Sequence, residues 1–331
     1  MSTPAGRPVT LADVARRAGT STAVVSYVMN DGPRPVAPAT RERVLAAAAE
    51  LGYRPNRIAR ALRSRVTGVV GLVLADALNP YFGALARHVE RALAGHGRLM
   101  LIGNADYSAE RQRHLVERFL AAQVDGLVIT AADADDDVAA MARTAGVPAA
   151  YLHNGPAAGQ TPVVAADNEH AVEEAVAHLR AHGHRDVAFL AGPRDTGPVG
   201  RRRQVWRAAT GDGGTLLRSG YSRAEADALI RRLAATGDVP RALVAATDEQ
   251  AIGVLSGACA AGLPVPGRVA VVSLDGSPDS AHTAPALTVT GQPLETMARQ
   301  AVDLLFTPSA SPAAPRAPLI RRRSCGCEEP R

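Results

Sequence analysis

The stretch from Val9 to Asn30, VTLADVARRAGTSTAVVSYVMN, constrains this chain more than any other. Leu11, Val14, Ala15 and Ala18 recur at the i, i+3, i+4, i+7 spacing of one helix face, while Asp13, Arg16 and Arg17 point elsewhere. Thr10 and Asp13 stand at the N-cap to N3 spacing of a capping box, and Gly19 supplies the stop that lets the chain turn. A second short helix then begins: Ser21 can cap it, and Val25, Val28 and Met29 face back onto the first. Thr22, Ala23, Ser26, Tyr27 and Asn30 are left outward, and none of them carries a charge. A solvated face usually carries Glu, Lys or Arg. A helix laid in a major groove instead needs small side chains for close approach and hydroxyls or amides for phosphates and base edges. The pattern therefore reads as a device for placing one helix on DNA, with two helices of an ordinary small bundle as the plainer alternative.

The next forty residues favour the first reading. Pro38 to Leu51 forms a third amphipathic segment with Val44, Leu45, Ala48 and Leu51 as its apolar stripe, closing a three-helix unit. After Gly52-Tyr53-Arg54-Pro55-Asn56 comes the basic run RIARALRSR. Residues 1–67 hold 11 Arg against 4 acidic residues, a net of +7, so with +5 for the whole chain the remainder carries about 5 − 7 = −2. Positive charge thus sits with the groove-reading pattern, as phosphate binding requires.

These residues resemble the DNA-binding headpiece and hinge of the lactose-repressor (LacI-type) family of bacterial transcription regulators. The family pattern V-T-x-x-D-V-A begins at Val9, V-S-x-V-x-N at Val25, T-R-x-R-V-L at Thr40 and L-G-Y-x-P-N at Leu51, followed by A-R-x-L at Ala59. The resemblance implies phosphate contacts at Ser21, Ser26, Asn30, Thr40 and Asn56, with Arg57 and Arg63 of the basic run beside them. It implies base reading at Thr22, Ala23 and Tyr27, and a minor-groove wedge at Leu62 on a hinge helix over residues 56–66. Arg is frequent in the family where this chain has Tyr27, and a capping Ser where it has Ala37. One recognition helix covers few base pairs, so a homodimer on a two-fold symmetric double-stranded DNA operator is expected. With the sequence ending soon after Cys327, the leucine-heptad tail that makes tetramers of some relatives is not expected.

All 37 basic residues are Arg, which excludes a P-loop lysine and Schiff-base chemistry. No Gly-x-Gly-x-x-Gly or Gly-x-Ser-x-Gly occurs, so neither an enzyme nor a cofactor is indicated. No apolar run or leader segment points to a membrane or to secretion, and a cytoplasmic location is expected. From Val69 onward, apolar runs alternate with helical stretches, the pattern of parallel sheets covered by helices. Strands are expected at Val69 to Leu74, Leu99 to Ile102, Gly126 to Ile129, Ala149 to Leu152, Val187 to Leu190, Ala242 to Ala245 and Val269 to Ser273. The resemblance extends here and implies a two-lobed, periplasmic-binding-protein-like α/β core. The expected division is a helix-turn-helix headpiece over 1–55, the hinge, and a core over 67–331. One lobe of that core takes 67–164 with 293–318, and the other takes 165–292 with the C-terminal tail.

Ligand sites in open parallel sheets lie beyond the carboxyl ends of strands. Asp76, Tyr81, Phe82, Asn104, Asp167, Arg202, Asp248, Asp275 and Gln292 cluster at such ends. Aromatic faces with carboxylates and amides suit a polyol, although any one Asp or Asn there can equally be a helix cap. The resemblance implies effector contacts at Tyr81, Phe82, Asp167, Arg202, Asp248 and Gln292, so a small-molecule effector, a sugar by default and a purine as rival, is expected in the cleft. Val205 and a short Arg207 to Ser222 stretch depart from the family and suggest a stunted helix around Arg202. His178 and His182 are four apart on a helix with His184 close by, a spacing that can bind a transition metal, but the family resemblance implies a structural role for that run; Cys325-Gly-Cys327 offers only two thiols, and no metal is expected.

Overall fold

A computed structural model describes residues 9–29, 34–54, 66–130, 138–156, 160–211, 214–307 and 312–328. The chain divides into two compact units, Met1–Thr67 and Gly68–Arg331.

In the first unit, α1 (Leu11–Ala18) opens on a complete capping box. The Thr10 hydroxyl accepts from the Asp13 N–H at 3.4 Å, and Asp13 Oδ2 accepts from the Thr10 N–H at 3.0 Å. Gly19 ends the helix at φ 63°, a left-handed conformation that a side chain resists. The Ser21 hydroxyl accepts from the Val24 N–H at the start of α2 (Thr22–Met29), and α3 (Pro38–Glu50) closes the unit. The core is Val14, Ala15, Ala18, Val25, Val28, Val44, Ala47 and Ala48. Leu45, expected in the apolar stripe, is 46% exposed. Ala47 takes its place because the buried face follows Val44 at i+3 and i+4. Ala37 stands at the N-cap of α3 without a side-chain bond; the helix begins there regardless, with Pro38 supplying a preset first turn.

The second unit holds two parallel sheets. In the first, β1 (Val69–Leu74), β2 (Leu99–Asn104), β3 (Gly126–Ile129), β4 (Ala149–Leu152) and β5 (Val163–Val164) stand in the order β2-β1-β3-β4-β5. They are joined through α4 (Pro80–Gly95), α5 (Ala109–Ala121) and α6 (Ala139–Thr144). The chain then crosses to the second lobe, which contains α7 (Asn168–Ala181), β6 (Ala188–Ala191), α8 (Gly197–Thr210), β7 (Leu216–Arg218), α9 (Arg223–Thr236), β8 (Ala242–Ala245), α10 (Asp248–Ala260), β9 (Ala270–Ser273) and β10 (Thr288–Thr290). It returns with α11 (Leu294–Phe306), whose Met297, Ala298, Ala301 and Val302 pack into the core of the first lobe beside Leu85 and Val89. A third crossing delivers β11 (Leu319–Ile320), which pairs antiparallel with β10 in a sheet ordered β11-β10-β9-β8-β6-β7.

Each strand expected from sequence has a counterpart, shifted by one or two residues at some ends; β5, β7, β10, β11 and the short α6 have no counterpart in the sequence pattern. Those pieces are two to six residues long, too short to show a period. The helix carrying Arg202 is not stunted: α8 runs 14 residues, with Trp206 fully buried on its inner face.

Thr10→Ala removes a capping bond and should destabilise α1 by about 1 kcal/mol. Hydrogen exchange of the α1 amides in the full-length protein should therefore quicken roughly fivefold, while amides of β8 and β9 stay unchanged.

Candidate functional site

Where the two lobes face each other, the carboxyl ends of their strands enclose a cavity of about 400 Å³. Five of the residues singled out from sequence line it: Asp76, Tyr81, Phe82, Arg202 and Asp275. Tyr107, His153, Asn154, Arg194 and Tyr221, which sequence reasoning passed over, line it as well.

Arg202 anchors the second lobe's side. Only 1% exposed, it donates from Nε to Asn168 Oδ1 at 2.7 Å, and from one terminal nitrogen to Ala246 O at 2.5 Å and to Asp275 Oδ1 at 3.0 Å. Burial is costly for Asp275: desolvation outweighs the Arg202 charge and, with Asp248 nearby, lifts its carboxyl to about pKa 6. From Asp275 a hydrogen-bonded chain leads across the cleft. Gln292 donates to Asp275 Oδ1 at 3.2 Å and to Leu274 O at 3.3 Å, which leaves its Oε1 to accept the Tyr81 hydroxyl at 2.7 Å. The single phenolic hydrogen is then committed, so His153 Nδ1, 2.7 Å from the same oxygen, must be the N–H donor. Burial, then the Arg202 charge, hold the His153 imidazole down to about pKa 3, consistent with a neutral ring.

The aromatic walls come from both lobes. Tyr107 and Tyr221 approach with centroids 5.7 Å apart across the opening, and Phe82 meets Tyr107 edge-on at 6.4 Å. Burial raises the pKa of both tyrosines, which keeps the phenols neutral. Gly192 lets Tyr221 settle, since a Cβ there would overlap its hydroxyl.

Four other residues expected at the effector site are not among those that line this cavity. Asp248 accepts the Ser273 hydroxyl and the Ser277 N–H, each at 2.5 Å, and is absent from the cavity lining. Asp167 caps α7 by accepting the His170 N–H, and Asn104, at the end of β2, accepts the Ala77 N–H of the loop after β1 and the Asp106 N–H of its own turn. Helix starts and tight turns demand acceptors for free N–H groups, and these side chains meet that demand. Gln292 reaches the cavity only through Tyr81 and Asp275.

On the headpiece, Ser21, Thr22 and Ala23 are exposed at the start of α2, with Ser26 and Tyr27 half-buried one turn on. Thr40, near the start of α3, accepts a long bond from Arg43 at 3.4 Å. No acidic residue lies in the first turn of α2. Asn30, Asn56, Arg57, Leu62 and Arg63, with most of the hinge segment, fall outside the described residues.

A helix-turn-helix unit joined to a two-lobed, cleft-bearing α/β unit defines a DNA-binding regulator with a periplasmic-binding-protein-like core. Residues 10–56 match the model of bacterial regulatory proteins of the lacI family, and residues 176–325 match a periplasmic binding protein-like domain. The chain is 32% identical to catabolite control protein A of Priestia megaterium, over 90% of this chain and 91% of that relative. It is 30% identical to the ribose operon repressor of Escherichia coli strain K12, over 90% and 92%. Among solved structures, the lac repressor dimer bound to operator and the anti-inducer ONPF superposes with a TM-score of 0.83 at 28% identity, covering 96% of this chain and 99% of that one. The transcriptional regulator CelR in complex with cellobiose does so with 0.70 at 30% identity, covering 96% and 100%. The chain belongs to the LacI family of bacterial transcriptional regulators. Among its described helices, none is long and apolar enough to cross a membrane.

Arg202→Ala leaves Asp275 buried without its cation, which should cost about 3–5 kcal/mol. The sign with pH follows from Asp275: its folded pKa lies above the unfolded value, so the folded state holds the extra proton and stability falls as pH rises from about 4 to 6. Removing Arg202 extends that window upward. Thermal unfolding should show a deficit that is larger at pH 8 than at pH 5.5 and is mostly recovered in Arg202→Ala/Asp275→Asn.

Proposed function

We propose that this regulator binds a two-fold symmetric operator as a homodimer and that a polyhydroxylated small molecule, a sugar, sets its DNA affinity from the cleft. The observation that carries the reading is the cavity itself, walled by aromatic rings and fixed polar groups from both lobes and present in the same chain as a complete helix-turn-helix. Rings stack on the C–H faces of a sugar while carboxylate, amide and guanidinium groups read its hydroxyls. The CelR–cellobiose complex and the ribose operon repressor among its relatives support that class of ligand. Repressors named PurR, 27–30% identical, keep a purine as the rival to be tested.

On DNA, α2 enters the major groove: Thr22, Ala23 and Tyr27 read bases, and Ser21, Ser26 and Thr40 hold phosphates. Asn30, Asn56, Arg57 and Arg63 would add phosphate contacts and Leu62 a minor-groove wedge, by resemblance to the family. Dimerisation has an observation of its own. β2 is an edge strand of its sheet, yet Leu99, Leu101 and Ile102 on it are 53%, 44% and 53% exposed, an apolar edge that a second copy would cover. A transported-solute receptor would share the two lobes but has no use for residues 10–56; turnover of the ligand is not expected.

The test is operator affinity by fluorescence anisotropy, with the DNA site selected from a random pool, against a panel of mono- and disaccharides and purines. At least one sugar should shift the affinity. Tyr107→Ala should then need roughly tenfold more of it, the worth of one stacked ring, with operator binding in its absence unchanged. A response to purines alone would overturn the sugar assignment, and an equal response in Tyr107→Ala would remove that ring from the site.

A further inference from the structure

Two pairs of side chains far apart in sequence meet on the second lobe, well away from the residues that line the cleft. His178 lies in the last turn of α7 and His182 caps that helix, so their four-residue spacing puts both rings on one face. The tail beyond β11 passes over this face. A 3-10 turn, Arg323–Cys325, is followed by Gly326 at φ 102°, and this left-handed step brings Cys327 round beside Cys325. His178 Nε2 lies 3.1 Å from Cys325 Sγ and 3.6 Å from Cys327 Sγ, and His182 Nε2 lies 3.3 Å from Cys327 Sγ. The four ligand atoms all fall within 4.8 Å of one another.

From this convergence we infer a zinc site, with His178, His182, Cys325 and Cys327 as its four ligands. A tetrahedral zinc with bonds of about 2.3 Å to sulfur and about 2.0 Å to nitrogen separates N and S ligands by about 3.5 Å, and the three observed N···S distances bracket that value. Two imidazoles with two thiolates are a zinc donor set in kind as well as in geometry. Four protein ligands leave no open position, so the ion is structural and has no catalytic role.

The surroundings hold the ligands ready. The Thr288 hydroxyl lies 3.0 Å from Arg322 O and 3.1 Å from Cys325 Sγ, so its one hydrogen can turn to the sulfur as an outer bond of the sort that steadies a thiolate. Ser324, next to Cys325, is tied on three sides: its N–H to Ala286 O, its hydroxyl to Val271 O, and that hydroxyl again from the Thr288 N–H. On the near side, Glu174 of α7 accepts the Leu319 N–H of β11. Zinc therefore clips the returning tail to α7, fixing the last crossing between lobes at its second-lobe end. The thiol–imidazole contacts alone would be weak hydrogen bonds. Cysteine and histidine are brought together from positions 145 to 149 residues apart, which is why the sequence read pair by pair leads to no metal being expected.

The experiment uses full-length protein, free of any affinity tag and purified under a phosphine reductant. Elemental analysis should find about one zinc per chain. After the metal is stripped, cobalt(II) should restore a visible spectrum with tetrahedral d–d bands and thiolate charge transfer, and zinc should bleach it. Cys325 is buried, so its replacement can harm the fold. The outer ligands, His182 and Cys327, are exposed and half-buried and provide the cleaner variants. His182→Ala and Cys327→Ala should keep the wild-type far-UV circular dichroism yet weaken zinc by more than the roughly 10–100-fold seen for loss of an outer-shell partner. Absence of tetrahedral cobalt bands in fully reduced wild-type protein would overturn the site. So would undiminished zinc binding in Cys327→Ala, or a Cys325–Cys327 disulfide that persists under reductant.

Discussion

A guanidinium and a carboxylate buried together hold the effector lobe in register. Arg202 and Asp275 are both withdrawn from water, and either charge left there without the other would be costly. Such a pair seldom adds stability over apolar packing, so its value lies in position. Through Arg202 it ties α8 to the start of α7 and to the loop after β8; through Asp275 Oδ2, which accepts the Asp248 N–H, it reaches the start of α10. Gln292 carries the same order across the cleft to Tyr81 and His153. The lobes are thus linked by a directional chain whose members have few alternative partners.

That arrangement suits a switch. A ligand entering the cavity meets Arg202, Asp275, Tyr81 and His153, so it can favour one lobe arrangement only by the difference in what it offers those groups in each. Packed cores with directional polar links have discrete arrangements and do not deform smoothly, which lets small changes in the cleft be passed on as lobe movement.

The headpiece is legible in the sequence because its information is local. The Thr10–Asp13 box, the Gly19 stop and the apolar spacing all act within a few residues, and the structure realises each. Leu45 shows the limit: helical spacing allows it inward, but the buried arc is narrower than the pattern. The longer strands are legible as apolar runs, while two- and three-residue edge strands carry no period. In the cleft, Tyr81, Phe82 and Asp275 stand out as polar or aromatic residues at element ends, whereas Arg202 lies within α8 and is marked out by the family resemblance. Tyr107 and His153 do not, because loops with left-handed backbone, φ 51° and 71°, aim them inward, and no sequence period encodes that. Asp167 and Asp248 stand out for the same reason as the true lining residues, yet they cap or brace the protein itself. The His–Cys cluster is hidden by separation alone.

Coupling of cleft occupancy to DNA binding runs, on this view, through the hydrogen-bonded chain at Tyr81. Its most direct test is the ratio of operator affinities with and without saturating effector, measured for wild type and for Tyr81→Phe. The substitution deletes one hydroxyl, keeps the ring, and unlinks Gln292 from His153. Effector-free operator affinity should be retained while the ratio moves toward one. An unchanged ratio in Tyr81→Phe would contradict the coupling.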